Sequence, residues 1–292
     1  MSIRICSRDD AGRLLPLLSP KLSRVPPFVA PQEADLGLLW DSGQALSRPV
    51  CAGGYSGGEL KAAALFGVLP DSSGPRDFGL IRPGDGIIQW FACSDPAAGA
   101  ELLDHCRAQL PAQTFVCPES GGLSRFGIFG TGMLPVSFTE ETVVMLTNGL
   151  TVPDSEAWGH QERLWFRTEI HTDLPSLVPP PGLTAVRNTT GTLSSSLRLL
   201  DGTDLAGECR ISQTTLFGRP YPGHVYIEWL GVGERHRNCG LGGKLLIEQL
   251  RWARENGATV CVLTTHSGRP AHRLYRRLGF TGVGAARTYC TS

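Results

Sequence analysis

The sequence predicts an α/β protein, of the α+β kind with mixed sheets, that is divided into two domains. Three observations support this prediction. The chain has 292 residues, more than the roughly 100 to 200 of a usual single domain. In both halves, short apolar runs typical of strands alternate with stretches of helical spacing. Two turn-rich stretches, residues 147–159 and 178–183, interrupt this pattern near the middle of the chain.

The domain boundary is expected near residue 150, with a first domain at 1–150 and a second at 151–292. Asn148-Gly149 is a turn signal at the end of the first domain. The run of three prolines and a glycine at 179–182 is too stiff for a helix or a central strand, because proline lacks the N–H donor and fixes φ. That run is interpreted as a connector.

Composition and charge indicate a folded protein that does not bind nucleic acid. Hydrophobic residues make up 41% of the chain and charged residues 18%, and the formal net charge is zero. Up to Gly149 there are 11 basic and 15 acidic residues, and after it 16 basic and 12 acidic. The positive second half suits an anionic small ligand but lacks the basic stripe that nucleic acid requires.

The cysteines and the N-terminus predict a reduced, cytoplasmic protein without a metal site. The nine cysteines form no CxxC pair and no zinc-ligand spacing with histidine, and their odd number argues against a disulfide framework. The N-terminus lacks the apolar region of a signal peptide, and no window approaches 18 uninterrupted apolar residues. Neither export nor a membrane partner is therefore expected.

The second domain has the predicted order β-β-β-α-β-α-β-β. Asp201-Gly202 supports a tight hairpin turn between alternating runs. A helix follows a glycine-bearing loop, and Gly257 is its expected C-terminal cap. The elements are strands at 197–200, 205–211 and 225–232, a helix at 240–256, a strand at 259–265, a helix at 270–278 and a closing strand pair within 280–289.

The first domain has a similar order of elements, which favours a duplication of one fold in the two halves of the chain. Its elements are strands at 3–6, 50–55, 60–68, 86–93 and 114–117, helices at 8–18, 32–45 and 96–109, a short helix near 123–129, and paired strands through 134–146. A short sequence similarity supports the duplication, because segments 126–130 and 275–279 both contain an aromatic residue, then an apolar residue, then glycine.

The clearest chemical motif is the glycine loop that opens the helix at 240–256. Backbone N–H groups in the first turn of a helix have no intrahelical partner and carry partial positive charge. Glycines there allow a diphosphate to approach the main chain, and Arg237 can add a charge-assisted contact. Such loops also occur for packing alone, so the surrounding sequence decides between these two interpretations.

That surrounding sequence resembles the GNAT family of N-acetyltransferases. Residues 227–246 resemble the acetyl-CoA motif of the family, a strand followed by Q/R-x-x-G-x-G/A and a helix, and 271–280 resemble a second family block. The resemblance is close over 197–280. It implies two GNAT-like domains, each with a central splayed mixed sheet flanked by helices, and acetyl-CoA as co-substrate.

The resemblance also implies which residues hold acetyl-CoA. Main-chain groups of Leu230 and Val232 would hold the pantetheine arm. The diphosphate would lie on the glycine loop, whose residues are Arg237, Asn238, Cys239, Gly240, Leu241, Gly242 and Gly243. The family's common asparagine, seven residues before its tyrosine, is Gly268 here, which puts one hydrogen bond to cofactor or substrate in doubt.

Two residues are predicted to be catalytic. Tyr275 aligns with the family tyrosine that protonates the departing thiolate, although an aromatic residue at a helical position can also simply pack in a core. Glu228, by strand alternation, is expected on one face with Leu230 and Val232, where its carboxylate could deprotonate the acceptor amine. It could equally be a solvated strand residue, and His266, expected in a loop, is a rival base.

The first domain lacks the glycine motif, so it resembles the degenerate half of tandem GNAT proteins. At its strand-to-helix junction, Asp95 would repel a diphosphate and serve as a helix cap.

The predicted function is acetyl-CoA-dependent transfer of an acetyl group to a primary amine by direct attack. The acceptor is a small-molecule or peptide amine. The alternative is a CoA-binding sensor or partner-binding protein without catalysis. The sequence leaves the oligomeric state and the acceptor open.

Overall fold

The structure is a computed structural model that describes residues 1–24, 31–36, 46–71, 81–118, 133–155, 159–160, 162–216 and 219–291. Within these residues the chain forms two large mixed β-sheets, with helices packed against them, and a two-stranded ribbon. The predicted α/β class with mixed sheets is confirmed.

The first sheet is formed mainly by the first half of the chain. Its strands there are β1 (Ser2–Ile5), β2 (Ser47–Ser56), β3 (Glu59–Val68), β4 (Gly86–Cys93) and β5 (Thr114–Val116), and its helices are α1 (Ala11–Leu22), α2 (Glu33–Leu36) and α3 (Pro96–Arg107). Strands β1 to β4 are antiparallel, and β5 is parallel to β4. Every residue of β4 is buried, as expected for a central strand covered on both faces.

The remaining elements follow in chain order. They are β6 (Leu134–Pro135), α4 (Thr139–Thr147), β7 (Asp154–Ser155), β8 (Gly159–His160), β9 (Glu162–Glu169), β10 (Leu183–Gly191), β11 (Ser194–Asp201), β12 (Asp204–Leu216), β13 (Arg219–Val232), α5 (Leu241–Glu255), β14 (Val260–His266), α6 (Ala271–Arg277), β15 (Thr281–Arg287) and β16 (Tyr289–Cys290). The second sheet has the order β10-β11-β12-β13-β14-β9-β15-β6.

Each sheet contains a strand from the other half of the chain. The last strand, β16, pairs with β5 of the first sheet, and β6, from the first half of the chain, pairs with β15 at the edge of the second sheet. The expected closing strand pair within 280–289 is therefore wrong, because β15 and β16 enter different sheets. The hydrophobic cores are joined as well, since Trp165 and Ala286 of the second sheet pack in the first-half core.

Two further element predictions need correction. The expected strands through 134–146 are only β6 followed by helix α4, because packing against α3 overrides the β-branched composition of this segment. Strands β9 and β10, and the two short strands β7 and β8, were not predicted at all. Of the expected helix at 32–45, the structure describes 33–36. The expected short helix near 123–129 and the segment 126–130, which is similar to 275–279, lie outside the described residues.

Turns and helix ends follow the predictions more closely. Asp201 pairs with Asp204 across a two-residue turn that begins with Gly202 at φ 61°. Helix α5 ends before Gly257, which has φ 94°. The N–H of Gly257 donates to the carbonyl of Arg254 at 3.0 Å, and that of Ala258 to Ala253 at 2.9 Å. This is the Schellman pattern, so the predicted glycine cap is confirmed.

Candidate functional site

Strands β13 and β14 separate within the second sheet and leave a cleft between them. Their parallel pairing runs from His224↔Val260 to Ile227↔Leu263. Beyond the last pair, β13 continues for five residues and β14 for three, without a β13–β14 pair in the described residues. The backbone groups that line the gap can therefore bind an extended ligand as a further strand would.

A β-bulge lies where the two strands separate. Arg210 pairs with Trp229 but Ile211 pairs with Ile227, so Glu228 is the extra residue. The bulge reverses the alternation of side chains, so that Ile227 belongs to the core beneath α5 and the partly buried Leu230 packs against the same core. Glu228 itself is exposed. Its expected place on one face with Leu230 and Val232 assumed a regular strand, which the bulge interrupts.

The predicted glycine loop lies at the N-terminus of α5. A short 3-10 turn, Glu234–His236, precedes it, and Asn238 and Gly240 have positive φ angles of 63° and 79°. These left-handed conformations favour asparagine and glycine. Arg237, Asn238, Cys239 and Gly240 are all exposed, and a β-carbon at Gly240 would meet no atom within 4 Å. An anionic group can therefore approach this helix N-terminus.

Contacts within the loop hold its shape. The Nε of Arg237 donates to the carbonyl oxygen of Val232 at 3.2 Å, and the Cys239 thiol donates to His236 with an Sγ–O distance of 2.8 Å. Leu241 is buried and anchors the helix in the core. Gly242 and Gly243 face Leu274 of α6, at 3.6 Å from the positions of their missing β-carbons. These are ordinary contact distances, so packing against α6 does not by itself require glycine at either position.

Tyr275 is buried in an aromatic cluster under the second sheet. Its ring centroid lies 5.9 Å from that of Phe166 and 6.0 Å from that of Phe280, and the residue is 6% exposed. Burial raises the pKa of its hydroxyl, with smaller contributions from Cys209 and Tyr226. The phenol is consequently protonated at neutral pH and can donate a proton. Its packing also matches the alternative core interpretation.

His266 is the last residue of β14 and lies beyond the point where β13 and β14 separate. It was expected in a loop, but it is 4% exposed and pairs with Arg163 of β9. Burial, with smaller contributions from the positive charges of Arg163 and Arg269, lowers the pKa of His266 to about 4. The imidazole is neutral at pH 7. Its pairing with Arg163 of β9 holds it in the sheet.

Sequence reasoning missed one polar pair that bridges the two strands. The hydroxyls of Tyr226 on β13 and Thr264 on β14 lie 2.8 Å apart, next to the last paired residues. The signal available in the sequence was a pair of polar residues within otherwise apolar strands. This hydrogen bond closes the inner end of the cleft.

The matching junction in the first half is closed by the protein itself. Asp95 caps α3 by accepting the N–H of Ala97 at 2.8 Å, as predicted. The N–H of Cys93, at the end of β4, donates to the buried carboxylate of Glu141 on α4 at 2.8 Å. A β-carbon on Gly99 of α3 would lie 2.8 Å from Val144 of α4. Helix α4 therefore covers this junction.

The part of the chain that the structure describes contains neither a metal-binding cluster nor a membrane-spanning helix. No group of three or more His, Cys, Asp or Glu side chains could hold a metal ion in this part of the chain. Among the same residues, no helix has the length and apolar character needed to cross a membrane.

Known proteins share the fold and, in the second half, the family pattern. Residues 164–280 match the model of the acetyltransferase (GNAT) family. A tandem GNAT protein from the clavulanic acid biosynthesis pathway is 13% identical, with a TM-score of 0.65 over 99% of this chain and 98% of that one. A GCN5-related N-acetyltransferase from Sphaerobacter thermophilus is 16% identical, with a TM-score of 0.63 over 99% and 95%. No curated protein matches the sequence.

Residues 164–280 thus match the GNAT family model, within a chain that has the fold of tandem GNAT proteins. The predicted resemblance to this family is confirmed.

Proposed function

We propose that the second half of the chain transfers an acetyl group from acetyl-CoA to a primary amine, by direct attack of the amine on the thioester. The observation that carries this proposal is the position of the cleft. The separated ends of β13 and β14 lie next to the exposed glycine loop at the N-terminus of α5. One ligand with an amide-bearing arm and a diphosphate can use both features.

Acetyl-CoA supplies the acetyl group as a thioester, and the residues of the cleft would bind and orient it. Backbone groups at Leu230 and Val232 would hydrogen-bond the pantetheine arm. The N–H groups of the first turn of α5, with Asn238, Cys239 and Gly240, would hold the diphosphate. Arg237 would add a charge-assisted contact, for which its guanidinium needs only to reach outward from the Val232 carbonyl.

Two side chains would move the protons of the reaction. Glu228, exposed at the bulge, would accept a proton from the acceptor ammonium, so that the neutral amine forms the C–N bond. As the C–S bond breaks, Tyr275 would give its proton to the departing thiolate. His266, neutral at pH 7, is the alternative base. No cysteine is assigned a covalent role, because direct attack needs none.

Acetyl transfer is tested by incubating the full chain with acetyl-CoA and a panel of primary amines, including amino sugars, arylalkylamines and peptides. We expect release of CoA thiol that depends on both substrates. The exposed thiol of Cys239 reacts with thiol reagents too, so reactions without acetyl-CoA set the background. Thermal stabilisation by CoA without thiol release for any amine would instead support the non-catalytic, CoA-binding alternative.

A further inference from the structure

Trp229 is a large aromatic residue with an exposed side chain beside the proposed reaction site. It follows Glu228 at the bulge and lies two residues beyond Ile227, the last residue of β13 that pairs with β14. The residue is 41% exposed. Isolated exposed hydrophobic residues are common on protein surfaces, so exposure alone assigns no role to it.

The indole of Trp229 is held in place by two neighbours. The guanidinium carbon of Arg210, its partner on β12, lies 5.9 Å from the ring centroid. A β-carbon on Gly231 would lie 2.7 Å from the indole Nε1, closer than real β-carbons approach. Glycine at 231 thus leaves the space that the indole occupies. The ring therefore lies between Arg210 and the space above Gly231, with part of its surface exposed.

Trp229 faces away from α5, on the side from which an acceptor must come. A β-carbon on Gly207 of β12 would meet Leu245 of α5 at 2.8 Å, so residue 207 faces α5 and Arg210, three residues on, faces the opposite side. Its partner Trp229 shares that opposite face. The diphosphate would occupy the α5 side, at the helix N-terminus. The opposite face of the sheet would then remain free for the acceptor.

We infer that the indole of Trp229 contacts the acceptor, and that the acceptor carries a planar aromatic ring next to its primary amine. This inference rests on the proposed acetyl transfer and names its substrate class. Aromatic rings pair with more free energy than their buried area alone provides. Glu228, the adjacent residue, would then face the ammonium group while the ring lies on Trp229.

The test compares phenylethylamine, cyclohexylethylamine and hexylamine as acceptors, in acetyl transfer and in direct binding to the CoA-loaded protein by calorimetry. We expect phenylethylamine to have the lowest KM and Kd. Trp229→Leu should raise both about 10-fold for phenylethylamine and change them little for hexylamine. Trp229→Phe, which keeps an aromatic ring, should stay within about 3-fold of the wild-type values.

Trp252→Leu is the matched control. Trp252 lies on α5 and also stacks with an arginine, since the guanidinium carbon of Arg187 is 5.5 Å from its ring centroid. It packs against the second core, so its loss should leave KM for phenylethylamine unchanged.

If the protein acetylates amines but Trp229→Leu and wild type have the same KM for phenylethylamine, the inference about Trp229 is overturned while acetyl transfer still stands. Preferred binding of the non-aromatic amines would overturn it as well. CoA binding without any amine bound or acetylated would overturn both proposals.

Discussion

The carboxylate of Glu141 on α4 accepts the backbone N–H of Cys93 at 2.8 Å, and its Oε1 atom lies 2.9 Å from Nζ of Lys21 on α1. Glu141 is fully buried. In the first half, the end of β4 is therefore satisfied by the protein's own side chain, where the second half has an open cleft. This contact supports the prediction that the first half does not bind CoA.

Loss of the buried ion pair should destabilise the protein in a pH-dependent way. We expect Lys21→Met to lower the free energy of unfolding by about 3 kcal/mol at pH 7, because it leaves a buried carboxylate unpaired. Burial raises the pKa of Glu141. The folded variant therefore binds a proton more readily than the unfolded chain, and part of the loss should be regained as the pH falls through the folded pKa. Urea unfolding from pH 5 to 8 measures this.

Two further variants make the test of this ion pair specific. Lys21→Met combined with Glu141→Leu should be more stable than Lys21→Met alone, since it removes the unpaired charge. Lys61→Met breaks an exposed pair with Glu59 and should have little effect. A pH-independent loss for Lys21→Met would contradict the assignment of the cost to the carboxylate.

Arg237 should contribute to acetyl-CoA binding through its charge. We expect Arg237→Glu to weaken binding by about 2 kcal/mol or more, roughly 30-fold in Kd, because repulsion replaces a charge-assisted contact with the diphosphate. Isothermal titration with acetyl-CoA measures the change. Arg4→Glu makes the same charge change in the first half and should leave Kd near the wild-type value. Unchanged affinity for Arg237→Glu would remove this residue from the site.

Two glycines at helix starts should respond in opposite ways to valine. At Gly242 a β-carbon would lie 3.5 Å from Val232, an ordinary contact, so Gly242→Val should fold but lose acetyl-CoA binding. At Gly99 it would lie 2.8 Å from Val144 and 2.9 Å from the Cys93 sulfur, so Gly99→Val should lose about 1 to 3 kcal/mol of stability. Thermal melts with and without acetyl-CoA separate the two effects. Strong binding by Gly242→Val would remove this glycine from the diphosphate site.

The hydroxyl of Tyr275 should matter for catalysis and not for folding. Tyr275→Phe keeps the ring between Phe166 and Phe280, so Tm and CoA affinity should stay close to wild type. We expect kcat to fall roughly 10- to 1,000-fold, the usual range for loss of a general acid. Tyr226→Phe is the comparison, because it removes the hydroxyl that lies 2.8 Å from Thr264. If only the Tyr226 variant were slow, the acid would have to be reassigned.

His266 should make the stability of the protein depend on pH below 7. Its pKa is about 4 in the folded protein against 6.5 ordinarily, so the unfolded chain takes up the proton first as the pH falls. This contribution is complete above pH 6.5, and about 2 to 3 kcal/mol of stability should be lost by pH 4. His266→Gln should flatten that part of the profile. Parallel wild-type and variant curves over pH 4–7 would contradict the burial of a neutral imidazole.

The sequence by itself determined the features that depend on neighbouring residues. The strand that precedes the glycine loop, the start of α5 after Gly240, the glycine that ends it and the aspartate cap of α3 all lie where they were predicted. Their physical basis is local. A backbone N–H at a helix end finds its partner within a few residues, and a positive φ angle favours glycine wherever it occurs.

Only the tertiary structure decided the features that need partners from distant parts of the chain. The exchange of β6 and β16 between the sheets, the bulge at Glu228, the burial of His266 and the ion pair of Glu141 with Lys21 are of this kind. A strand pattern does not specify its neighbour, and a bulge exists only relative to a partner strand. The surroundings of Trp229, from which the acceptor class is inferred, likewise arise only when β12 and β13 pair, because that pairing brings Arg210 to the indole.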